Sequence, residues 1–139
     1  MDAQDMGDAL ERILVTEDEL SRRMRELAAQ IDADYQGKEL LLVGVLKGAL
    51  MVMADLSRNL HTPLAMDWMA VSSYGTGTKS SGVVRILKDL DVDVHGRDVL
   101  IVEDIIDSGL TLSWLRENLL TRGAASVEIA AALRKPEAA

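Results

Sequence analysis

Val99-Leu100-Ile101-Val102-Glu103-Asp104-Ile105-Ile106-Asp107-Ser108-Gly109-Leu110-Thr111 is the stretch on which the fold turns. Its apolar start is short and rich in β-branched residues, the pattern of a strand buried on both faces of a parallel sheet. Ser108, Gly109 and Thr111 then lead into a segment where Leu112, Leu115, Leu119 and Leu120 keep helical spacing. A strand, a tight polar loop and a helix start together aim backbone N–H groups at an anion.

Working outward, the same alternation recurs. Thr16 and Glu19 form a capping box ahead of Leu20, Met24, Leu27 and Ile31, which repeat at helical spacing. Leu40 to Leu46 reads as a second buried strand, closed by Lys47-Gly48 and followed by a helix from about Ala49 to Asn59. Two further strands are expected over about Ala65–Ser72 and Val83–Leu87. Between them, Tyr74 to Gly82 is too rich in Gly, Ser and Thr to pack by itself and is expected to be a mobile loop. Val127 to Leu133 supplies one more strand. The expected fold is therefore α/β, a mostly parallel twisted sheet flanked by helices, with ligands outside the carboxyl ends of the strands.

Composition narrows the function. The 139 residues are 48% hydrophobic, enough for one core, so residues 15–139 are expected to form a single domain after a flexible start at 1–14. No run reaches the roughly 20 apolar residues of a membrane span, and no signal peptide is visible, so the expected setting is the cytoplasm without membrane attachment. The absence of cysteine excludes disulfides, thiolate metal sites and Cys nucleophiles within these residues. A formal charge of −8 argues against a nucleic-acid partner, because such binding draws on clustered Lys and Arg. It leaves room for a small phosphorylated ligand held by backbone amides, a lysine or two and a bridging divalent cation. His61 and His95 are isolated and read as surface residues, whereas Trp68, Met66 and Met69 read as core or subunit contacts.

Leu46-Lys47-Gly48, Ser72-Ser73-Tyr74-Gly75, Val99 to Thr111 and Leu133-Arg134-Lys135-Pro136 occur in an order and spacing that resemble the type I phosphoribosyltransferases. With Ser73-Tyr74 and Arg85 to Leu90 between them, the resemblance is to the hypoxanthine (hypoxanthine-guanine) branch, and it covers about Val15 to Pro136. It implies purine salvage, a pentosyl-class glycosyltransferase reaction. A 6-oxopurine, hypoxanthine or guanine, displaces pyrophosphate from C1 of phosphoribosyl pyrophosphate, giving IMP or GMP, with Mg²⁺ as cofactor.

Roles carried over by this resemblance fall on named positions. Asp107, Ser108, Gly109, Leu110 and Thr111 would hold the 5′-phosphate, and Asp107 would also serve as general base at the purine N7. Glu103 and Asp104 would hold the ribose hydroxyls, directly or through Mg²⁺. Lys47 and Gly48 would bind pyrophosphate, after a non-proline peptide that is often cis in this family. Ser73 and Tyr74 would belong to a lid that excludes water, and Lys135 would read the purine O6. The family also implies a homodimer or homotetramer, and a further C-terminal segment that completes the base-binding hood and one strand of the core. On that pattern the 139 residues are expected to be a fragment whose own activity is open. The alternative to an enzyme is a noncatalytic regulator that binds phosphoribosyl pyrophosphate on the same fold.

Overall fold

The computed structural model describes residues 17–74, 83–106 and 109–134. In chain order these form α1 (Glu17–Asp34), β1 (Leu40–Leu46), α2 (Leu50–Asn59), β2 (Leu64–Tyr74), β3 (Val83–Lys88), β4 (Asp98–Ile106), α3 (Leu110–Thr121) and β5 (Ser126–Arg134). The strands make one five-stranded sheet in the order β3-β2-β1-β4-β5. β1 runs parallel to β2 and to β4, and β4 parallel to β5, while β3 returns antiparallel along β2. The expected segment at 1–14, the capping residue Thr16 and the loop at 75–82 lie outside the described residues.

Continuous apolar runs became the central strands because both of their faces are covered. All of β1 but its last residue is buried. On one face, Leu40 and Leu42 meet Leu100 and Val102 of β4 beneath Met24, Ala28 and Ile31 of α1 and Met53 and Leu56 of α2. On the other, Leu41, Val43, Val99 and Ile101 pack with Leu112, Leu115 and Leu119 of α3. Period-2 alternation in the strands and the 3.6-residue period in the helices thus feed two cores with one sheet between them. Burial of that apolar surface is the main force holding the layers together.

Two acids fasten loops to the rest of the fold. Asp67 on β2 is 4% exposed; it accepts the Asp91 and Val92 N–H groups at 2.9 and 3.1 Å and the Trp68 N–H at 2.8 Å, tying the β3–β4 loop to the sheet. Asp32 near the end of α1 accepts the His61 and Thr62 N–H groups and the Thr62 hydroxyl, clamping the turn into β2. Those donors outweigh the opposing effect of its burial and hold its carboxyl below the usual carboxylate range.

Expected and observed boundaries agree within two residues; α2 begins one residue later, at Leu50, and β2 extends to Tyr74. Met69 is fully buried and Trp68 packs on the core from its rim, whereas Met66 is 49% exposed. Both histidines are exposed, as their isolation in the sequence suggests. No helix among the described residues is long and apolar enough to cross a membrane.

Candidate active site

The order β2-β1-β4 places a topological switch between β1 and β4: from β1 the chain leaves to one side, and it later returns to the other. Loops leaving the carboxyl ends of two such strands diverge and open a crevice between them. Register sets what faces what across it. Gly44 lies opposite Val102, so the turn that follows Leu46 comes to stand beside Glu103 and Asp104.

On the β1 side, the Leu46–Lys47 peptide is cis, as the family resemblance implies. Lys47 and Gly48 form an exposed turn, held by the Ala49 N–H donating to the Val45 carbonyl and the Leu50 N–H donating to the Lys47 carbonyl, both at 3.2 Å. α2 starts directly after it, and no side chain caps its first turn.

On the β4 side the carboxylates sit within the strand, which continues to Ile106, rather than at its end. Successive strand residues point to opposite faces. Asp104 follows Leu100 and Val102 toward the α2 side, and Glu103 follows Val99 and Ile101 toward the α3 side. The Glu103 carboxyl nevertheless turns back, its Oε1 accepting the Asp104 N–H at 2.9 Å. Burial, and next a side-chain hydrogen bond with Asp104, push the Glu103 carboxyl up to about 7. A carboxyl so raised keeps its proton until the pH nears about 7, which below that relieves repulsion between the neighbours.

Gly109 then opens α3. Its φ of 80° and ψ of −4° lie in the left-handed region, which glycine alone adopts without a Cβ penalty. Gly109 itself offers no side chain to cap the helix. The N–H groups of a first helical turn need partners from outside the helix, and the aligned peptide dipoles favour an anion there. Leu110 is half exposed and Thr111 partly buried at that end. Two helix starts, those of α2 and α3, therefore flank the Glu103–Asp104 pair.

Lys47, Gly48, Glu103, Asp104, Gly109, Leu110 and Thr111 are thus brought to the carboxyl-end side of the sheet. Ser73 and Tyr74 end β2, paired with Val84 and Val83 of β3, and so stand at the rim next to the crevice; their side chains lie outside the described residues, as do Asp107, Ser108 and Lys135. Among the described residues no group of three His, Cys, Asp or Glu side chains converges to hold a metal. The paired Glu103 and Asp104 carboxyls still fit a Mg²⁺ that takes one or two carboxylates from the protein and its other oxygens from a bound phosphate ligand and water. A separate cavity of about 670 Å³ runs along β5 against α1, lined by Leu27, Tyr35, Glu128 and Ala130. It is a broad hollow, yet it lies away from the carboxyl ends of β1 and β4, and neither α2 nor α3 begins on it.

Two residues that shape this region are absent from the predicted site. Asp67 holds the loop into β4, and an acid inside the apolar run Ala65 to Ala70 is the signal that could have found it. Gly44 gives β1 its bare surface under Trp68, a role invisible without knowing what packs on it.

Residues 14–139 match the phosphoribosyl transferase domain family. The hypoxanthine-guanine phosphoribosyltransferase of Mycobacterium bovis is 53% identical over 135 residues, covering 93% of this chain and 67% of that protein. The Bacillus subtilis protein of the same name is also 53% identical, over 91% of this chain and 71% of its own length. The crystal structure of a hypoxanthine phosphoribosyltransferase from Staphylococcus aureus superposes with a TM-score of 0.90 at 45% identity, covering 95% of this chain and 72% of that one. The chain spans about two thirds of the length of the mycobacterial relatives it matches. With its crevice built between the carboxyl ends of β1 and β4, and with this likeness across nearly all its residues, the chain belongs to the phosphoribosyl transferase domain family, among the hypoxanthine-guanine phosphoribosyltransferases.

Proposed function

We propose that this chain carries the catalytic core of a purine-salvage enzyme. The enzyme moves the phosphoribosyl group from phosphoribosyl pyrophosphate to hypoxanthine or guanine, giving IMP or GMP and pyrophosphate. The observation that carries this reading is the meeting, at the carboxyl ends of the central strands β1 and β4, of the Lys47–Gly48 turn, the Glu103–Asp104 pair and the Gly109 entry to α3. Each suits a different part of one ligand: a pyrophosphate, a diol and a 5′-phosphate.

The residues divide the work. Asp107 to Thr111 wrap the 5′-phosphate, where Gly109 lets the backbone approach and the α3 dipole favours the negative charge. Lys47 and Gly48 take the pyrophosphate. Glu103 and Asp104 orient the ribose through its hydroxyls, fixing C1 between base and leaving group. These two carboxyls would also hold Mg²⁺, which supplies charge neutralisation of the pyrophosphate when bound. Purine N9 then bonds to C1 while the C1–O bond breaks, its electron pair leaving with the pyrophosphate. Asp107 accepts the proton from N7. Ser73 and Tyr74 close over the centre, keeping water from the electron-poor C1. Lys135 donates to O6 and so favours a 6-oxopurine over a 6-aminopurine, which presents donors at that place.

The unit is a single domain over residues 15–139 that works in the cytoplasm as a homodimer or homotetramer; exposed Leu50 and Met51 on α2 support the association. Steady-state assays with phosphoribosyl pyrophosphate, magnesium and either hypoxanthine or guanine test the reading, comparing the parent with Asp107→Ala. Pyrophosphate release that falls by about a hundredfold or more in the variant is expected of a general base. Unchanged turnover removes Asp107 from the mechanism. Binding of phosphoribosyl pyrophosphate without any release, here and in a C-terminally extended chain, makes the protein a regulator instead.

A further inference from the structure

Gly48 is a glycine for a reason that its backbone does not explain. Its φ is not among the positive values of the described residues, which belong to Gly37, Gly96, Gly109 and Gly123, so an L-residue could adopt its conformation. The constraint is space. A Cβ built on Gly48 would lie 2.9 Å from both carboxylate oxygens of Asp104 and 3.0 Å from its Cγ. Carbon does not approach carboxylate oxygen that closely, and neither partner is the loose end of a long side chain. Asp104 is a short residue rooted in β4, and Gly48 lies in a turn pinned by hydrogen bonds to Val45 and Lys47.

We propose that Gly48 is a positioning residue: by lacking a side chain it seats the Asp104 carboxylate against the Lys47–Gly48 turn, so that the leaving-group side and the sugar side of the site are set by one steric contact. The inference rests on the reading of the crevice as a phosphoribosyl pyrophosphate site. It adds that the two halves of that site are coupled through bare backbone. Anything that moves the turn moves a ribose ligand, and the reverse. The pairing register of β1 on β4 brings the two groups together.

A double-mutant cycle of Gly48→Ala and Asp104→Ala in the full chain tests this, first on stability. In the parent background Gly48→Ala is expected to lower the unfolding midpoint by about 3–6 °C through overpacking. With Asp104 already cut to Ala the clash is gone, and the same substitution becomes neutral or slightly stabilising because it stiffens the unfolded chain. Should Gly48→Ala prevent folding, recovery of folding in the double variant carries the same meaning. Equal costs in both backgrounds, or a double variant that also fails to fold, overturn the proposal.

The second readout is ligand-specific. Ribose 5-phosphate has no pyrophosphate, yet its dissociation constant is expected to rise about tenfold in Gly48→Ala, because a small displacement of an orienting group is costly. Inorganic pyrophosphate, measured alongside with magnesium, weakens as well. Loss confined to pyrophosphate, with ribose 5-phosphate bound as in the parent, overturns the coupling. If the parent binds neither probe, the proposed function falls, while the stability cycle still decides for or against the contact.

Discussion

Replacing Glu103 by glutamine tests the electrostatics of the site without changing its shape. The Glu103 carboxyl is raised from 4.5 to about 7, first by burial and next by its hydrogen bond with Asp104. In the interval between those values the native protein keeps a proton that the unfolded chain has released. Stability linked to this group is therefore fully present below about pH 4.5 and is lost as pH rises to about 7. At 1.36 kcal/mol per pH unit the interval sets a ceiling of about 3.4 kcal/mol, and solvent on the open side of the crevice reduces it to about 1–2 kcal/mol. A glutamine amide at this position has no charge to bury, so the variant escapes this loss. Urea unfolding of parent and Glu103→Gln, without magnesium, at about pH 5 and about pH 8 isolates the effect, because other titrating groups cancel in the double difference. The variant should gain about 1–2 kcal/mol on the parent between the lower and the higher pH. A double difference near zero, or one of opposite sign, would refute the assignment of a retained proton to this carboxyl.

Two structural predictions follow from the packing around the crevice. Asp67→Ala leaves the Asp91, Val92 and Trp68 N–H groups without their acceptor at a site 4% exposed. The expected cost is about 3 kcal/mol, read by urea unfolding, with faster hydrogen exchange at the Asp91 and Val92 amides; unaltered protection there would show that the loop is held by other means. Gly44→Ala drives a methyl to within 2.6 Å of Trp68 Cζ3 and 2.9 Å of Met53 Cγ. It should cost about 1–3 kcal/mol as overpacking and shift the fluorescence of Trp68, and an unshifted, equally stable variant would mean that the ring is not seated on β1.

Much of the fold is legible along the chain because it depends on local pattern. The unbroken apolar run Leu40–Leu46 announces a strand covered on both faces, and burial of all but its last residue bears that out. Leu112, Leu115 and Leu119 declare the inner stripe of α3 by spacing alone, and all three are buried. Leu46–Lys47, Glu103–Asp104 and Gly109 are legible for another reason: their order resembles a known family, and the fold brings them to the carboxyl ends of β1 and β4. Asp67 is not legible in the same way. A lone acid in an apolar run is equally compatible with a break in a strand, and only the return of Asp91 and Val92 from the β3–β4 loop makes it a clamp.

The sequence by itself determined which segments are strands and helices, because those depend on periodicity and on apolar surface that must leave water. Tertiary structure alone decided which strand ends become neighbours. Only the β2-β1-β4 order, with Gly44 opposite Val102, brings the Lys47–Gly48 turn against Asp104 from a distant part of the chain. It also left no room for a Cβ between Gly48 and Asp104 and raised the Glu103 carboxyl first through burial, since crowding and desolvation arise largely from atoms distant in the chain.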